Sequence, residues 1–394
     1  MPRRCLFVIH YPVFGGPHNQ ALRLAPTLRS LGWETTVLIP DEPGNAAERL
    51  RVAGIQTIEA PLGRLRATAD PRRHLRFAGG FPREVRLIRS LIRELQIDLV
   101  LLGGLVNPHG AIAGRLERVP VVWQILDTLP PRALRRALMP LVTRLAGAVM
   151  STGEAVARAH PGAIGLGERL VLFFPPVDLE LFRPDPAVRS RARSELGLGP
   201  DEPVVGTVGN LTPMKDHDTL VRAAAALHRL HPPTRFVILG SSYEHRSGYA
   251  DEVLRTAEEL GLQPNRDLIL RDPGERVAEL AQAFDVFWLS SRSRSEGLPT
   301  VVGEAMALGL PVVATQVGSV PEAVDGGGLL VPPSDPDALA RAAAQLIEDP
   351  SARAAIGEEG HRWASKRFSV EASADAHIRA FEIACRPASL GAVA

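Results

Sequence analysis

Ser295-Glu-Gly-Leu-Pro-Thr300-Val-Val-Gly-Glu304-Ala-Met-Ala-Leu-Gly309-Leu-Pro-Val-Val-Ala-Thr315-Gln-Val-Gly318-Ser-Val-Pro-Glu322 is the stretch that decides how the chain is read. An apolar run at about 285–290 leads into it, and another at about 311–315 closes it. Short continuous apolar runs on either side of a helical stretch read as buried parallel strands joined by a crossover helix. Pro299 falls in the first turn of that helix, where a residue without an N–H fits. The amides of Thr300 and Val301 and the positive end of the helix dipole would then make an anion site at the strand's carboxyl end. Glu304 lies within the first two turns and leans back toward the N-terminus, as helical side chains do. Glu296 stands in the loop before. The two carboxylates either accept hydrogen bonds from sugar and ribose hydroxyls beside a phosphate, or simply complement the helix end.

Outward from this stretch the same alternation fills the chain. Strands are expected near 203–209, 235–240 and 267–271, with helices near 217–230, 250–260, 276–283, 300–309 and 335–348. Toward the N-terminus, strands fall near 4–10, 34–40, 55–59, 98–102 and 120–125, with helices near 17–31, 83–95 and 108–117. A proline-rich seam, Phe174-Pro-Pro-Val-Asp178 to Pro184-Asp-Pro186, has no usable periodicity. The reading is α/β: two tandem Rossmann-like, doubly wound parallel-sheet domains, 1–180 and 181–369, with 370–394 packing back on the first. Such sheets bind ligands at the carboxyl ends of their strands, so two facing domains imply a cleft.

The chain has 394 residues, of which 45 are Lys or Arg and 44 Asp or Glu. This composition, 45% hydrophobic and 23% charged, excludes a disordered or fibrous chain. No apolar run nears the ~18 residues that span a bilayer, and the N-terminal run is too short for a secretion signal. Two cysteines, Cys5 and Cys385, cannot frame a disulfide scaffold or a cysteine metal site. A cytoplasmic protein without a metal is expected. The balance of charge disfavours nucleic acid, but it is uneven. Residues 1–180 carry 23 Arg against 15 acids, net +8, and the rest 22 bases against 29 acids, net −7. Arg83, Arg86, Arg89 and Arg93 share one face of the 83–95 helix, and Arg132, Arg135, Arg136 and Arg144 mark a second basic helix. Either these are solvated faces or the first domain rests on an anionic membrane and takes a lipid-linked or phosphate-bearing acceptor. Lysine occurs only twice, at Lys215 and Lys366.

Glu-Gly-Leu-Pro-Thr-Val-Val-Gly-Glu-Ala-Met-Ala-Leu-Gly-Leu-Pro-Val-Val-Ala-Thr, from Glu296 to Thr315, resembles the signature of the family 4 glycosyltransferases, of GT-B fold. The likeness extends to Phe14-Gly15-Gly16, Pro176-Val-Asp178…Phe182, Gly209-Asn-Leu-Thr-Pro-Met-Lys215 and Gly318…Pro321-Glu322. It implies transfer of a sugar, with retention, from a nucleotide-diphosphate sugar to a sugar, lipid-linked or other hydroxyl acceptor. It implies no catalytic metal and no cofactor beyond that co-substrate. Envelope polysaccharide, glycolipid or related glycoconjugate synthesis is the expected setting. By the same resemblance, Glu296 holds the donor sugar and Lys215 the diphosphate. The wider donor set is Gly16, Asn210, Lys215, Leu298, Pro299, Thr300, Val301 and Glu304. Two positions depart from the family. Asn210 stands where an arginine is usual, and Leu126 where a histidine often touches the reacting sugar. On the acceptor side Asp127 either bonds the acceptor or caps the helix at 131–146, and His109 is a further candidate. His18 is expected to be an exposed residue at the start of its helix. The rival to an enzyme is a degenerate nucleotide-sugar-binding subunit. A nicotinamide dehydrogenase ranks lower, because no Gly-x-Gly-x-x-Gly follows the first strand of either domain.

Overall fold

The computed structural model describes residues 2–65, 70–241, 247–293 and 296–386. The chain divides into two compact units: one runs to Pro176 and resumes at Val370, and the other is Val177–Ser369. The boundary therefore falls four residues before the seam position read from sequence. The reason is pairing: Val177 N donates to Phe368 O at 2.7 Å, which ties the strand exit to the end of the second unit.

The first unit holds seven parallel strands: β1 (Arg3–Ile9), β2 (Trp33–Pro40), β3 (Gln56–Ala60), β4 (Leu99–Gly103), β5 (Val121–Ile125), β6 (Ala148–Ser151) and β7 (Leu170–Leu172). Their order is β3-β2-β1-β4-β5-β6-β7. The last two were not among the strands expected from the sequence. Alternation along β1 builds two cores. Cys5, Phe7 and Ile9 face the helices Gly16–Ser30 and Val370–Cys385, while Leu6 and Val8 face Pro71–Glu94 and Pro108–Glu117. The helix Val370–Cys385 is bound there by Phe381, edge-on to Trp33 at 4.8 Å. His377 is bound too: its Nδ1 donates to Ser373 O, and its Nε2 accepts from Gln20 and Gln124 at 2.7 and 3.1 Å.

The basic helix is longer than expected, Pro71–Glu94, begun by Asp70, whose carboxylate accepts from Arg72 N. Arg89 and Arg93 both close on Glu117 at 2.6 Å, so part of the positive stripe is neutralised within the unit. Of the second basic helix, Arg132–Leu145, Arg135 is buried and donates to the Pro130 and Ala159 carbonyls.

The second unit holds six parallel strands: β8 (Val204–Val208), β9 (Arg235–Leu239), β10 (Leu268–Arg271), β11 (Val286–Leu289), β12 (Val312–Thr315) and β13 (Gly328–Val331). Their order is β10-β9-β8-β11-β12-β13. In both sheets the order of winding thus reverses once, between β1 and β4 and between β8 and β11. At such a switch point the flanking loops part to opposite faces, and ligands of open α/β sheets bind in the crevice left outside the strand ends.

Candidate functional site

The switch point of the second unit gathers the charged residues picked from sequence. After β8, Gly209 leads through Asn210 to a single 3₁₀ turn, Pro213–Lys215. Close approach of the β8 and β9 loops requires Gly240, where a Cβ would fall 2.1 Å from Gly209 O. After β11, Ser290 and Ser291 lead to Glu296. Lys215 Nζ and Glu296 Oε1 meet at 2.5 Å, with both side chains mostly but not fully buried. The hydroxyl of Ser290 donates to Lys215 O at 2.8 Å, and that of Ser291 to Glu296 Oε1 at 3.1 Å. From the end of β12, the Thr315 hydroxyl donates to Ser291 O at 2.8 Å. Gly318 closes the group. Its φ is +51°, its Cβ would fall 2.3 Å from Gly297 O, and the next amide, Ser319 N, donates to that same oxygen at 2.8 Å. Loops from three adjacent strands therefore converge on one ion pair.

The helix that follows, Thr300–Ala307, has Pro299 as its cap rather than inside its first turn. Leu298 and Pro299 are buried, while Thr300 and Val301 are partly exposed. Gly303 allows the helix to lie against Phe368, whose ring a Cβ would meet at 2.4 Å. Glu304 is buried within this helix, and Asn210 is exposed in the Lys215 loop. Beneath Lys215, Asp216 takes a left-handed conformation (φ +54°) and is buried. Its carboxylate pairs with Arg292 at 2.9 Å. The neighbouring His217 ring is held down to a pKa of about 4 by burial and by the Lys215 charge. It stays neutral beside that lysine at ordinary pH.

Gly16, Asp127 and His109 belong to the other unit. Gly16 is the exposed first residue of its helix, preceded by Gly15 as the cap. His18 is not exposed. It is fully buried, accepts from Gly15 N through Nδ1 at 3.1 Å, and reaches Tyr11 O with Nε2 at 3.0 Å. Its imidazole thereby caps the glycine turn, and burial holds its pKa down to about 4. Sequence missed this because a histidine three residues past a glycine has no signature of its own. Asp127 does not cap the following helix, whose cap is Pro131; its carboxylate accepts from Leu129 N at 2.9 Å in a local turn. Leu126 packs on the β-sheet core. His109 is fully buried, its Nδ1 bonded to Asn107 at 2.9 Å and its ring packed on Phe77 and Phe81. Its Nε2 lies 3.0 Å from Glu84 without hydrogen-bond alignment. This enclosure separates His109 from solvent and packs it against the Pro71–Glu94 helix.

Two doubly wound sheets, one presenting a lysine–carboxylate pair and a helix N-terminus at its switch point, fit a glycosyltransferase of GT-B fold. The comparisons with known proteins agree. Residues 188–363 match the model of the glycosyl transferases group 1, and residues 15–176 that of the glycosyl transferase 4-like domain. The chain is 34% identical over 275 residues to the GDP-mannose-dependent alpha-(1-6)-phosphatidylinositol monomannoside mannosyltransferase of Mycolicibacterium smegmatis, covering 68% of this chain and 69% of that one. It is 37% identical over 219 residues to the D-inositol 3-phosphate glycosyltransferase of Segniliparus rotundus, which is 55% of this chain and 47% of that relative. The chain thus spans about half the length of the second relative. Among solved structures, Anabaena HepE in complex with UDP superimposes with a TM-score of 0.80 over 96% of this chain and 99% of that one, at 24% identity, a likeness of fold. The chain belongs to the group 1 (family 4) glycosyltransferases and is an enzyme of that family.

Proposed function

We propose that the protein moves a hexosyl group, with retention, from a nucleotide-diphosphate sugar to a hydroxyl of a phosphate-bearing polyol or glycolipid acceptor. The observation that carries this reading is the Lys215–Glu296 pair at the β8/β11 switch point. An ammonium is a compact cation with three donors. One donor reaches Glu296, and the others suit the oxygens of a departing diphosphate, aided by the amides of Thr300 and Val301. Glu304, back along the same helix, is assigned to the ribose hydroxyls, and Leu298 and Pro299 to the wall of the donor pocket. Gly16 is assigned to a donor phosphate, because glycine lets backbone approach an anion closely. In the reaction the bond from the anomeric carbon to the phosphate oxygen breaks. The acceptor oxygen bonds to the same face, and its proton passes to the departing phosphate oxygen. No protein base is required, so Leu126 and Asn210 are compatible with turnover. A guanosine donor and an inositol-phosphate acceptor are the first choices, because those chemistries are in the names of the Mycolicibacterium and Segniliparus relatives.

The test is incubation of purified protein with GDP-mannose, UDP-glucose and ADP-glucose against inositol phosphate and phosphatidylinositol, with products read by mass spectrometry. Transfer that Glu296→Gln and Lys215→Ala each abolish supports the reading. Tight nucleotide binding with no turnover on any acceptor would instead favour the non-catalytic subunit. A peripheral-membrane setting on the cytoplasmic face is part of the proposal. It rests on exposed Arg72, Arg76, Arg83 and Arg86 and the exposed Leu75 along one helix. Sedimentation with anionic but not neutral vesicles is expected; equal, negligible binding to both removes it.

A further inference from the structure

The Lys215–Glu296 pair does not hold itself in place. Ser290 and Ser291, consecutive at the end of β11, are both buried, and each grips a different member of the pair. Ser290 binds the main-chain carbonyl of Lys215, and Ser291 the carboxylate of Glu296. Thr315, also buried, fixes Ser291 from the neighbouring strand. Both hydrogen bonds to Glu296 end on Oε1. Among the described residues, Oε2 is thus the oxygen left for a hydroxyl.

The geometry points to Ser291 and Ser290 as positioning residues with separate tasks, an inference that rests on the proposed function above. Ser291, with Lys215, occupies Oε1 and so turns Oε2 of Glu296 toward the donor sugar. Ser290 sets the path of the Lys215 backbone, and with it the reach of the ammonium to the diphosphate. The hydroxyl of Ser291 bonds a charged acceptor, whereas that of Ser290 bonds a neutral carbonyl, and bonds to charged groups are the stronger. Removing the first should therefore cost more, and should cost it in a different step.

The separation is measurable by calorimetric binding of GDP and GDP-mannose, repeated with UDP and UDP-glucose, together with donor KM and kcat. In Ser291→Ala, nucleoside diphosphate affinity is expected to stay within about twofold, while the extra affinity conferred by the sugar disappears and kcat falls about tenfold. In Ser290→Ala, nucleoside diphosphate affinity is expected to fall about threefold to fivefold with kcat little changed. Combining Ser291→Ala with Glu296→Ala should add nothing to the loss in Glu296→Ala alone, since the serine acts only through that carboxylate. A purely structural role would lower both affinities together and add to Glu296→Ala, and either result overturns the inference. If Ser291→Ala melts too low for study, Ser291→Cys, which keeps the volume and weakens the donor, must show the same split in smaller degree. If Glu296→Ala itself leaves sugar affinity and turnover intact, the proposed function fails, and the inference falls with it for that separate reason.

Discussion

The two switch points share a topology and differ in how they are filled. At β1/β4, His10 lies against Gly104, where a Cβ would fall 2.5 Å from the ring, and His18 straps the glycine turn. Both imidazoles are buried, and burial holds each to a pKa of about 4. At β8/β11 the corresponding space holds Lys215 and Glu296, each keeping some exposure. A neutral imidazole can be enclosed at modest cost, whereas an ion pair enclosed fully carries a heavy desolvation cost. The first switch point is therefore built as a rigid support and the second as a site that an anion can enter.

Breaking the charged side should show as lost chemistry with modest loss of fold. Lys215→Ala and Glu296→Gln are each expected to lower transfer about 100- to 1000-fold, the size of losing one preorganised electrostatic partner. Melting should move by only a few degrees, and a large drop in melting temperature would make the pair structural. Breaking the packed side should do the reverse. Phe381→Ala, which empties a fully buried site against Trp33, is expected to cost about 3–5 kcal/mol. Hydrogen exchange should locate that loss in the first unit and leave the amides of β8 to β13 protected.

Acid should separate the units in the same direction. His10, His18 and His377 of the first unit, and His217 of the second, have folded pKa values of about 4 against an ordinary 6.5. The unfolded chain takes up these protons at about pH 6.5 and the folded chain only near pH 4. Stability is thus complete above 6.5 and falls as pH drops toward 4, by up to about 3 kcal/mol per histidine. The first unit, with three of the four, should unfold first in an acid titration followed by exchange or proteolysis. Gly318→Ala comes last in the set: positive φ alone costs about 1–3 kcal/mol, and the Cβ clash with Gly297 O adds to it unless the loop shifts. It should also displace the Glu296 loop, so donor affinity should fall with stability; unchanged affinity would show that the loop tolerates the shift.

Much of this was written locally. The alternation of apolar runs and helices located ten of the thirteen strands among the described residues, because buried parallel strands are continuous and hydrophobic. The strands left out, β6, β7 and β13, have three or four residues each, but so do β10, β11 and β12, which were read, so length alone was not the reason. The glutamate signature and Lys215, one of only two lysines, pointed to the second switch point. Ser290 and Ser291 drew no notice, since serines after a strand are ordinary loop residues until their partners are known. His18, expected to be exposed, is buried, because exposure depends on what packs over a residue; likewise the neighbours that enclose His109, Phe77, Phe81 and Glu84, are distant from it in sequence.

The sequence alone determined the class of fold, the two-part organisation, the family and the residues with charge to offer. It could do so because secondary structure and motif spacing are local properties. Tertiary structure decided which of those residues meet. It put Lys215 onto Glu296 and returned the last helix to the first sheet. Each of these joins segments far apart along the chain, and the strand order that unites them is recorded in no single stretch of it.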